Sequence, residues 1–420
     1  MYMKSNKESS FDKNFWLLLF GKIVSQFGDG IFAIAMPWYI LSSTSSAIAM
    51  SVYLVIQNIA CGVGLLIFGN WIDSWKKEKA MYVTDFIRAM YLLLLFITIK
   101  YDFSNKIIFV YGAAIVLNLC MSVFNPASMS LIPLILKKEK LVKGNSILAV
   151  VDNLISILGL TVGITVYELL GIKLVFLFSA IFYFMSAVSE MFIHPTIGED
   201  DARQKGAGTS SIGIKGAFEY LLKNRKILLI IIFALSWNFI YITMYSIYLP
   251  YLFNQNFSGS IVSIGSVEIA ESIGLILGAT VASKVKIDKD LARSLTKVVI
   301  IQLPIFILFY LVLLLNKYLS VTVDVITLIY MALFFILGLT VSIVNVNVCV
   351  IIQSETASDY MGRVNSFKSL GSMISMAIAL LFGGVVVEQI SVVSCMGINA
   401  ILFFCLTFFM ICKFLKVRDE

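Results

Sequence analysis

The sequence predicts an all-α polytopic membrane protein with twelve transmembrane helices in two pseudo-symmetric six-helix bundles. Of its 420 residues, 60% are hydrophobic and only 14% are charged, and the mean hydropathy is +0.94. A globular domain is about 45–50% apolar and about 25% charged, so this chain has too little polar sequence to cover a water-soluble surface. The composition excludes a soluble enzyme, a nucleic-acid binder and a disordered scaffold. A porin-type barrel is also excluded, because its strands alternate polar and apolar residues whereas these apolar runs are continuous.

Twelve apolar runs are long enough to cross a bilayer, which takes about 20 residues per helix. In chain order, these runs cover residues 15–41, 46–69, 80–99, 106–127, 145–169, 171–193, 227–253, 260–283, 294–315, 324–352, 367–388 and 391–412.

The positive charges orient these spans. Both termini and the loops on their side carry 26 Lys and Arg residues, whereas the loops on the other side carry four. Because cytoplasmic loops hold the excess of positive charge, both termini are predicted to be cytoplasmic in the cell (plasma) membrane. Lys368, at the start of the eleventh span, is counted with the cytoplasmic group. The basic residues behind the net charge of +7 are thus scattered through loops that flank the lipid bilayer, and they do not indicate nucleic-acid binding.

One long hydrophilic stretch, residues 194–226, divides the chain. It separates an N-terminal six-helix bundle, 1–193, from a C-terminal bundle, 227–420. We expect it to be a cytoplasmic linker with an amphipathic surface helix over about 211–224. Similar segments, with Asn145-Ser146 and Asn365-Ser366 in the same places, precede spans five and eleven. Duplicated six-span halves are typical of secondary transporters that bind substrate at the repeat interface.

The loop after span two carries a recognisable motif. It reads Gly69-Asn70-Trp71-Ile72-Asp73-Ser74-Trp75-Lys76-Lys77-Glu78-Lys79 and resembles the loop motif of the major facilitator superfamily, G-x-x-x-D-R-x-G-R-K. Gly69 and Asp73 match, whereas Ser74 stands where the family usually has Arg. The resemblance implies the major facilitator fold and a gating role for Gly69, which permits close helix approach, and for Asp73, which bonds a neighbouring helix end.

Three further segments narrow the resemblance to one branch. The stretches 124–127 (Phe-Asn-Pro-Ala), 267–270 (Val-Glu-Ile-Ala) and 360–364 (Tyr-Met-Gly-Arg-Val) are similar to those of macrolide-efflux transporters, a branch that includes exporters similar to those for siderophores. The resemblance implies drug:proton antiport, with efflux of amphipathic small molecules, protons as the coupling ion and no cofactor. Span five lacks the Gly-Pro pair of the antiporter motif. No Walker A sequence occurs, which leaves the proton gradient as the energy source.

Three polar side chains lie within the first span. Lys22, Gln26 and Asp29 follow at i, i+4 and i+7, which places them on one helical face over about 10 Å. An ionisable group at this depth costs about 2.5–3.5 kcal/mol on insertion scales and therefore indicates function. Asp29 is expected to bind protons under the influence of Lys22, and Gln26 to contact substrate. A static polar bridge within the bundle is the alternative.

Span eight contains two carboxylates one turn apart, Glu268 and Glu271. Like charges this close resist joint ionisation, which is the behaviour expected of groups that load and release protons. Both are predicted to take part in proton coupling. The alternative is that one Glu bonds a neighbouring helix while the other faces the outer vestibule.

A second set of charges near the cytoplasmic ends of spans predicts gating contacts. Asp85 and Arg88 are spaced i, i+3 for an intrahelical ion pair. Asp152 is expected to join the same cytoplasmic network through Lys143 or Arg363. Four other acidic residues near span ends are expected to be solvated interfacial charges: Glu168, Glu190, Asp324 and Glu388.

Substrate contacts are predicted on spans seven and ten. Trp237, Tyr241 and Tyr245 recur at helical spacing beside Asn238, and Asn345 lies in span ten. Aromatic area with hydroxyl and amide groups suits an amphipathic ligand. Core packing and interhelical hydrogen bonds are the alternatives. Gly274-x3-Gly278 in span eight is a small-residue track of the kind that lets helices approach closely.

Two other functions stay open at this point. An exporter of a self-made metabolite such as a siderophore would keep the fold, but such molecules are often anionic, and only Lys22 and Arg88 supply intramembrane cations. A non-transporting receptor or lipid-handling protein is the remoter alternative, and it has little need of buried carboxylates. No nucleophile–base set or metal-ligand cluster indicates an enzyme or a metal site, and no feature indicates an obligate oligomer, so a monomer is expected.

Overall fold

The computed structural model describes residues 11–103, 106–195, 214–257, 259–284, 291–319 and 321–414. All regular secondary structure in these ranges is helical. The helices are α1 Lys13–Thr44, α2 Ala47–Ser74, α3 Lys77–Lys100, α4 Lys106–Ile135, α5 and α6 within Lys138–Met191, α7 Ile214–Lys223, α8 Arg225–Asn256, α9 Ile261–Lys284, α10 Leu291–Leu319, α11 Val323–Glu355, α12 Ser358–Gln389 and α13 Val392–Phe414.

The segment Lys138–Met191 is two helices joined at a glycine. Gly171 has φ +74° and ψ 173°, a conformation that only glycine adopts at low cost, and it divides the segment into α5 (138–170) and α6 (172–191). Eleven helical segments in the described chain are long and apolar enough to cross a membrane, and this one contains two of the predicted spans. The predicted all-helical polytopic fold is therefore confirmed.

The described chain forms two compact units. The first comprises the described residues of 1–32, 60–159 and 173–208, and the second those of 33–59, 160–172 and 209–420. The second unit thus contains the ends of α1 and α2 around their connection, together with the chain on either side of Gly171. The six-plus-six division predicted at 194–226 stays a prediction, and residues 196–213 of that linker lie outside the described ranges.

Side chains tie the α1–α2 connection to α12 within the second unit. Ser46 Oγ and the backbone N–H of Ile48 donate hydrogen bonds of 2.7 and 2.9 Å to the Glu388 carboxylate. Gly384 of α12 lies so close to Ser51 that any added side chain would collide with it. Glu388 is exposed, as predicted, but it also caps the backbone at the start of α2.

Helix α8 departs from regular α-helical hydrogen bonding at Thr243–Tyr248 and Leu252–Asn256, which are π-helical. Pro250 lies between the two segments and has no N–H to donate to the preceding turn, so the hydrogen-bond register slips there. Widened turns of this kind often accompany functional sites. Tyr245 lies within the first of them.

The short helix α7 lies within the region predicted to form an amphipathic helix. Tyr220 of α7 stacks on Tyr360 of α12, with ring centroids 4.1 Å apart and an interplanar angle of 11°. Its hydroxyl also accepts a 3.0 Å hydrogen bond from the Ala357 N–H. These contacts hold α7 against the start of α12 within the second unit.

Candidate functional site

The aromatic residues predicted on span seven form one continuous stack on α8. The Trp237 and Tyr241 rings are 4.9 Å apart at 15°, and the Tyr241 and Tyr245 rings are 5.5 Å apart at 8°. The i, i+4, i+8 spacing places the three side chains above one another on one face. Offset stacking at these distances favours a rigid arrangement of the rings.

The carboxylates of α9 meet this stack. The Tyr241 hydroxyl donates a short hydrogen bond to Glu271 Oε1, and Glu271 is buried, with 2% of its surface exposed. Tyr245 lies within electrostatic range of both Glu268 and Glu271. The structure therefore brings together four residues that the sequence placed on two separate spans.

Two cavities of the second unit adjoin the stacked tyrosines. One, of about 250 Å³, is lined by Tyr245 and Glu268 together with residues of α1, α2 and α5. The other, of about 310 Å³, is lined by Trp237 and Tyr241 together with residues of α11 and α12. Each tyrosine of the stacked pair therefore forms part of the wall of a different cavity.

The larger cavity collects most of the predicted substrate residues. Trp237, Asn238 and Tyr241 of α8, Asn345 of α11 and Lys368 of α12 all line it. The rest of its wall is mainly apolar: Phe233, Ala234, Leu275, Val341, Val344, Val348 and Ser372. Tyr245 borders the other cavity instead, and Gln26 lies in the first unit.

A buried hydrogen-bond chain fixes the indole of Trp237. Its Nε1 donates to Gln302 Oε1 at 3.0 Å, and Gln302 Nε2 donates to Thr340 Oγ1 at 3.1 Å. Gln302 is fully buried. Gln302 was not predicted as a site residue, although it is the one amide within the apolar run 298–315 of α10 and a buried amide needs partners.

In the first unit, Asp29 faces a tyrosine and an arginine. The Tyr183 hydroxyl donates to Asp29 Oδ1 at 2.5 Å, and Arg88 Nη1 is 3.9 Å from the same oxygen. The Arg88 guanidinium is 1% exposed and lies 5.3 Å from the centroids of the Phe124 and Tyr183 rings. Arg88 Nη1 is also 3.3 Å from Asp85 Oδ1, so the predicted i, i+3 pair is present and fully buried.

The structure corrects the expected partners of Lys22 and Asp152. Lys22 Nζ lies 2.6 Å from Asp152 Oδ2, and Gln26 Nε2 donates to Asp152 Oδ1 at 3.0 Å. Lys22 therefore neutralises Asp152 on α5 rather than acting on Asp29. The reason is distance, because seven residues of helix separate Lys22 from Asp29 by about 10 Å.

Glu190 is another correction. It was expected at the membrane surface, but it is fully buried, with its Oε1 3.3 Å from Ser186 Oγ. Helix α6 packs closely on α1 through serines, and Ser186 and Ser189 donate to the carbonyls of Gly21 and Leu17. This packing encloses Glu190, whereas Glu168, Asp324 and Glu388 are exposed as predicted.

The remaining gating candidates are Gly69, Asp73 and Arg363. Gly69 and Asp73 belong to the backbone of α2, but their side chains lie outside the described part of the structure. Arg363 is half-buried near the start of α12.

Comparison with known proteins identifies the family. The model of the Major Facilitator Superfamily matches residues 18–367. The uncharacterised MFS-type transporter YvqJ of Bacillus subtilis strain 168 is 23% identical over 371 residues, which is 88% of this chain and 84% of that protein. The transporter YkuC of the same organism is 25% identical over 163 residues, 39% of this chain and 37% of that protein.

Solved structures show the same fold at low sequence identity. A bacterial homologue of the iron transporter ferroportin, in an inward-facing state, has a TM-score of 0.72 at 14% identity, covering 98% of this chain and all of that one. The nucleoside transporter NupG has a TM-score of 0.70 at 14% identity, covering 96% of this chain and all of that one. The chain belongs to the major facilitator superfamily, whose members are membrane transporters and not enzymes.

Proposed function

We propose that this transporter exports amphipathic small molecules in exchange for protons, by alternating access. The observation that carries the proposal is the double role of Tyr241. Its ring lines the 310 Å³ cavity, while its hydroxyl donates to the buried Glu271 carboxylate. A ligand against the ring and a proton on the carboxylate therefore act on the same side chain.

The coupling follows from hydrogen-bond chemistry. A hydrogen bond to an ionised carboxylate is roughly twice as strong as one to a neutral group. Protonation of Glu271 weakens the bond that positions Tyr241, and so changes the wall of the cavity. Because coupling between two binding events is reciprocal, a ligand that favours one position of Tyr241 also alters proton binding at Glu271.

The two cavities lie towards opposite ends of α8. Trp38 and Pro250, which line the Glu268 cavity, lie near the α1–α2 and α8–α9 connections. Phe233 and Val348, which line the larger cavity, lie towards the start of α8 and the end of α11. With both termini in the cytoplasm of the cell, as the loop charges indicate, protons reach Glu268 from outside and cargo reaches Trp237 from inside.

The larger cavity suits an amphipathic cargo. Its volume is at the lower end of the range for small-molecule sites, roughly 300–1,000 Å³. The stacked Trp237 and Tyr241 offer flat apolar area, and the amides of Asn238 and Asn345 offer hydrogen bonds. The resemblance to macrolide-efflux transporters supports drug-like cargo, with antibiotic resistance as the cellular consequence.

The experiment uses inverted membrane vesicles with an imposed pH gradient, acidic inside, followed by the quenching of an acridine dye. Addition of a transported compound from a panel of macrolides and of cationic, neutral and anionic dyes is expected to dissipate the gradient. Glu271→Gln and Glu268→Gln are expected to abolish this response. In proteoliposomes, both variants should still exchange labelled for unlabelled compound, because exchange moves no net proton.

The matched control is Glu168→Gln, which removes an exposed carboxylate at the end of α5 and should behave as wild type. Two results contradict the proposal. One is a wild-type protein that dissipates no gradient with any compound in the panel. The other is wild-type gradient-driven transport in Glu268→Gln, Glu271→Gln and Asp29→Asn alike, which removes the carboxylates from the coupling step.

A further inference from the structure

The 310 Å³ cavity beside Trp237 and Tyr241 contains a cation, Lys368, which was predicted to belong with the cytoplasmic charges. Helix α12 begins at Ser358, and Lys368 lies ten residues further on, about 15 Å along the helix. The candidate span on this helix starts at Tyr360. Lys368 therefore lies inside the span, and its side chain lines the cavity beside Trp237, Asn238 and Asn345.

Lys368 differs from three other cations within or near the spans. Lys22 pairs with Asp152, Arg88 with Asp85, and Lys226 with Glu355 at 2.6 Å. In the part of the chain that the structure describes, Lys368 makes no ion pair and no side-chain hydrogen bond. An ammonium on a membrane-spanning helix is costly without a partner, so its place in the cavity wall indicates a ligand.

The chemistry of the cavity wall favours one sign of ligand charge. Besides Lys368, its polar residues are Asn238, Asn345 and Ser372 together with Trp237, through its indole N–H, and Tyr241, through its hydroxyl. None of its described lining residues is a carboxylate. A cationic ligand finds no counter-ion there, whereas an anionic group finds an ammonium and two amides that donate hydrogen bonds.

We infer that this cavity is a subsite for an anionic group and that the cargo is an amphipathic anion, such as an aryl carboxylate. Its charged group pairs with the Lys368 ammonium while its apolar body packs against the Trp237 indole. The inference rests on the proposed function and names its substrate class. Lys368 is thus an intramembrane cation available to an anionic metabolite, in addition to Lys22 and Arg88, which were predicted from the sequence.

The test is equilibrium binding to the full-length transporter in phosphatidylcholine nanodiscs without any gradient. Dansylglycine carries a carboxylate, and dansylglycinamide is its neutral counterpart. Binding is followed by dansyl emission excited through tryptophan, with empty nanodiscs subtracted. The wild type is expected to bind dansylglycine at least tenfold more tightly than the amide. Lys368→Gln should weaken dansylglycine binding by about tenfold to 100-fold and leave the amide nearly unchanged.

Lys368→Arg keeps the charge and should retain the preference. Lys413→Gln is the matched control, because it removes an exposed cation in the last turn of α13. A repeat in nanodiscs containing phosphatidylglycerol distinguishes the source of the anion. Competition by this lipid, lost in Lys368→Gln, identifies a lipid headgroup as the occupant, and no competition leaves a soluble anion.

Several results overturn the inference: equal or weaker wild-type binding of dansylglycine relative to the amide, binding of neither compound, or an equal loss of both in Lys368→Gln. The wild-type preference needs no variant, so it decides the matter even if Lys368→Gln does not fold. The assay uses no proton gradient. If Glu271→Gln does not affect coupling, the result of this binding assay is therefore unaffected. If the wild type shows no preference for the anion, the proposal of proton-coupled export still holds for neutral compounds.

Discussion

The backbones of α9 and α11 touch through glycines, and this contact sets the position of Glu271. A Cβ atom at Gly278 would lie 2.8 Å from Leu339 Cα, and one at Gly338 would lie 3.0 Å from Leu275 N. Non-bonded carbon atoms prefer about 3.5–4.0 Å. Gly278→Ala therefore requires the two helices to separate by roughly 1 Å.

The expected cost follows from comparison with a matched glycine. Overpacking of a filled contact costs about 1–3 kcal/mol. Replacement of a helical glycine by alanine also gains about 1 kcal/mol of helix propensity. Gly362→Ala in α12 receives the same gain without the contact, because nothing lies within 4 Å of its added Cβ. The difference between the two variants is therefore the contact cost alone.

The assay is thermal unfolding of the purified transporter in one detergent. Gly278→Ala should unfold several degrees below Gly362→Ala. Gly338→Ala should also lose gradient-driven transport, since its Cβ would lie 3.3 Å from the carbonyl carbon of Glu271 and so displace the turn that faces Tyr241. An unfolding temperature for Gly278→Ala equal to or above that of Gly362→Ala would refute the proposed backbone contact.

Two further predictions concern the first unit. Asp152→Asn should lower the free energy of unfolding by about 1–2 kcal/mol, because it leaves Lys22 unpaired. Adding Lys22→Met to the same chain should recover most of this loss. A double variant that loses as much stability as Asp152→Asn, or more, contradicts the pairing. Tyr183→Phe removes the hydroxyl that donates to Asp29 but keeps the ring, so gradient-driven transport should fall about tenfold with stability changed by about 1 kcal/mol. Unchanged transport in this variant excludes the contact from coupling.

Hydropathy predicted the number and order of the spans because each helix carries its own apolar run. The break between spans five and six was placed at about residue 170, and Gly171 is where the helix divides. Helix starts were predicted less well, because helices extend into polar residues that lie outside the apolar runs from which the spans were identified. Helix α12 begins at Ser358 rather than at 367, so Lys368, predicted at the very start of the span and counted with the cytoplasmic charges, lies ten residues into the helix.

In the candidate site, features within one helix were predicted from the sequence, whereas contacts between helices were not. The stack of Trp237, Tyr241 and Tyr245 follows from spacing on a single helix, and spacing was sufficient to predict it. Contacts between helices depend on which helices are neighbours and how each is rotated, and the spacing of residues along one helix does not carry that information. The partners of Lys22 and the burial of Glu190 were therefore predicted wrongly.

The intramembrane carboxylates differ in their neighbouring groups, and these neighbours determine how well each carboxylate is suited to bind and release a proton. Asp152 lies 2.6 Å from the Lys22 ammonium, and an ion pair of this kind is suited to a fixed structural bridge. A phenol hydroxyl, by contrast, is neutral: it donates a hydrogen bond to a carboxylate but places no positive charge beside it. Glu271 has such a partner in Tyr241, whereas Asp29 has Tyr183 together with Arg88 at 3.9 Å. We therefore propose Glu271 of the second unit as the carboxylate that exchanges protons, because its partner Tyr241 also lines the larger cavity.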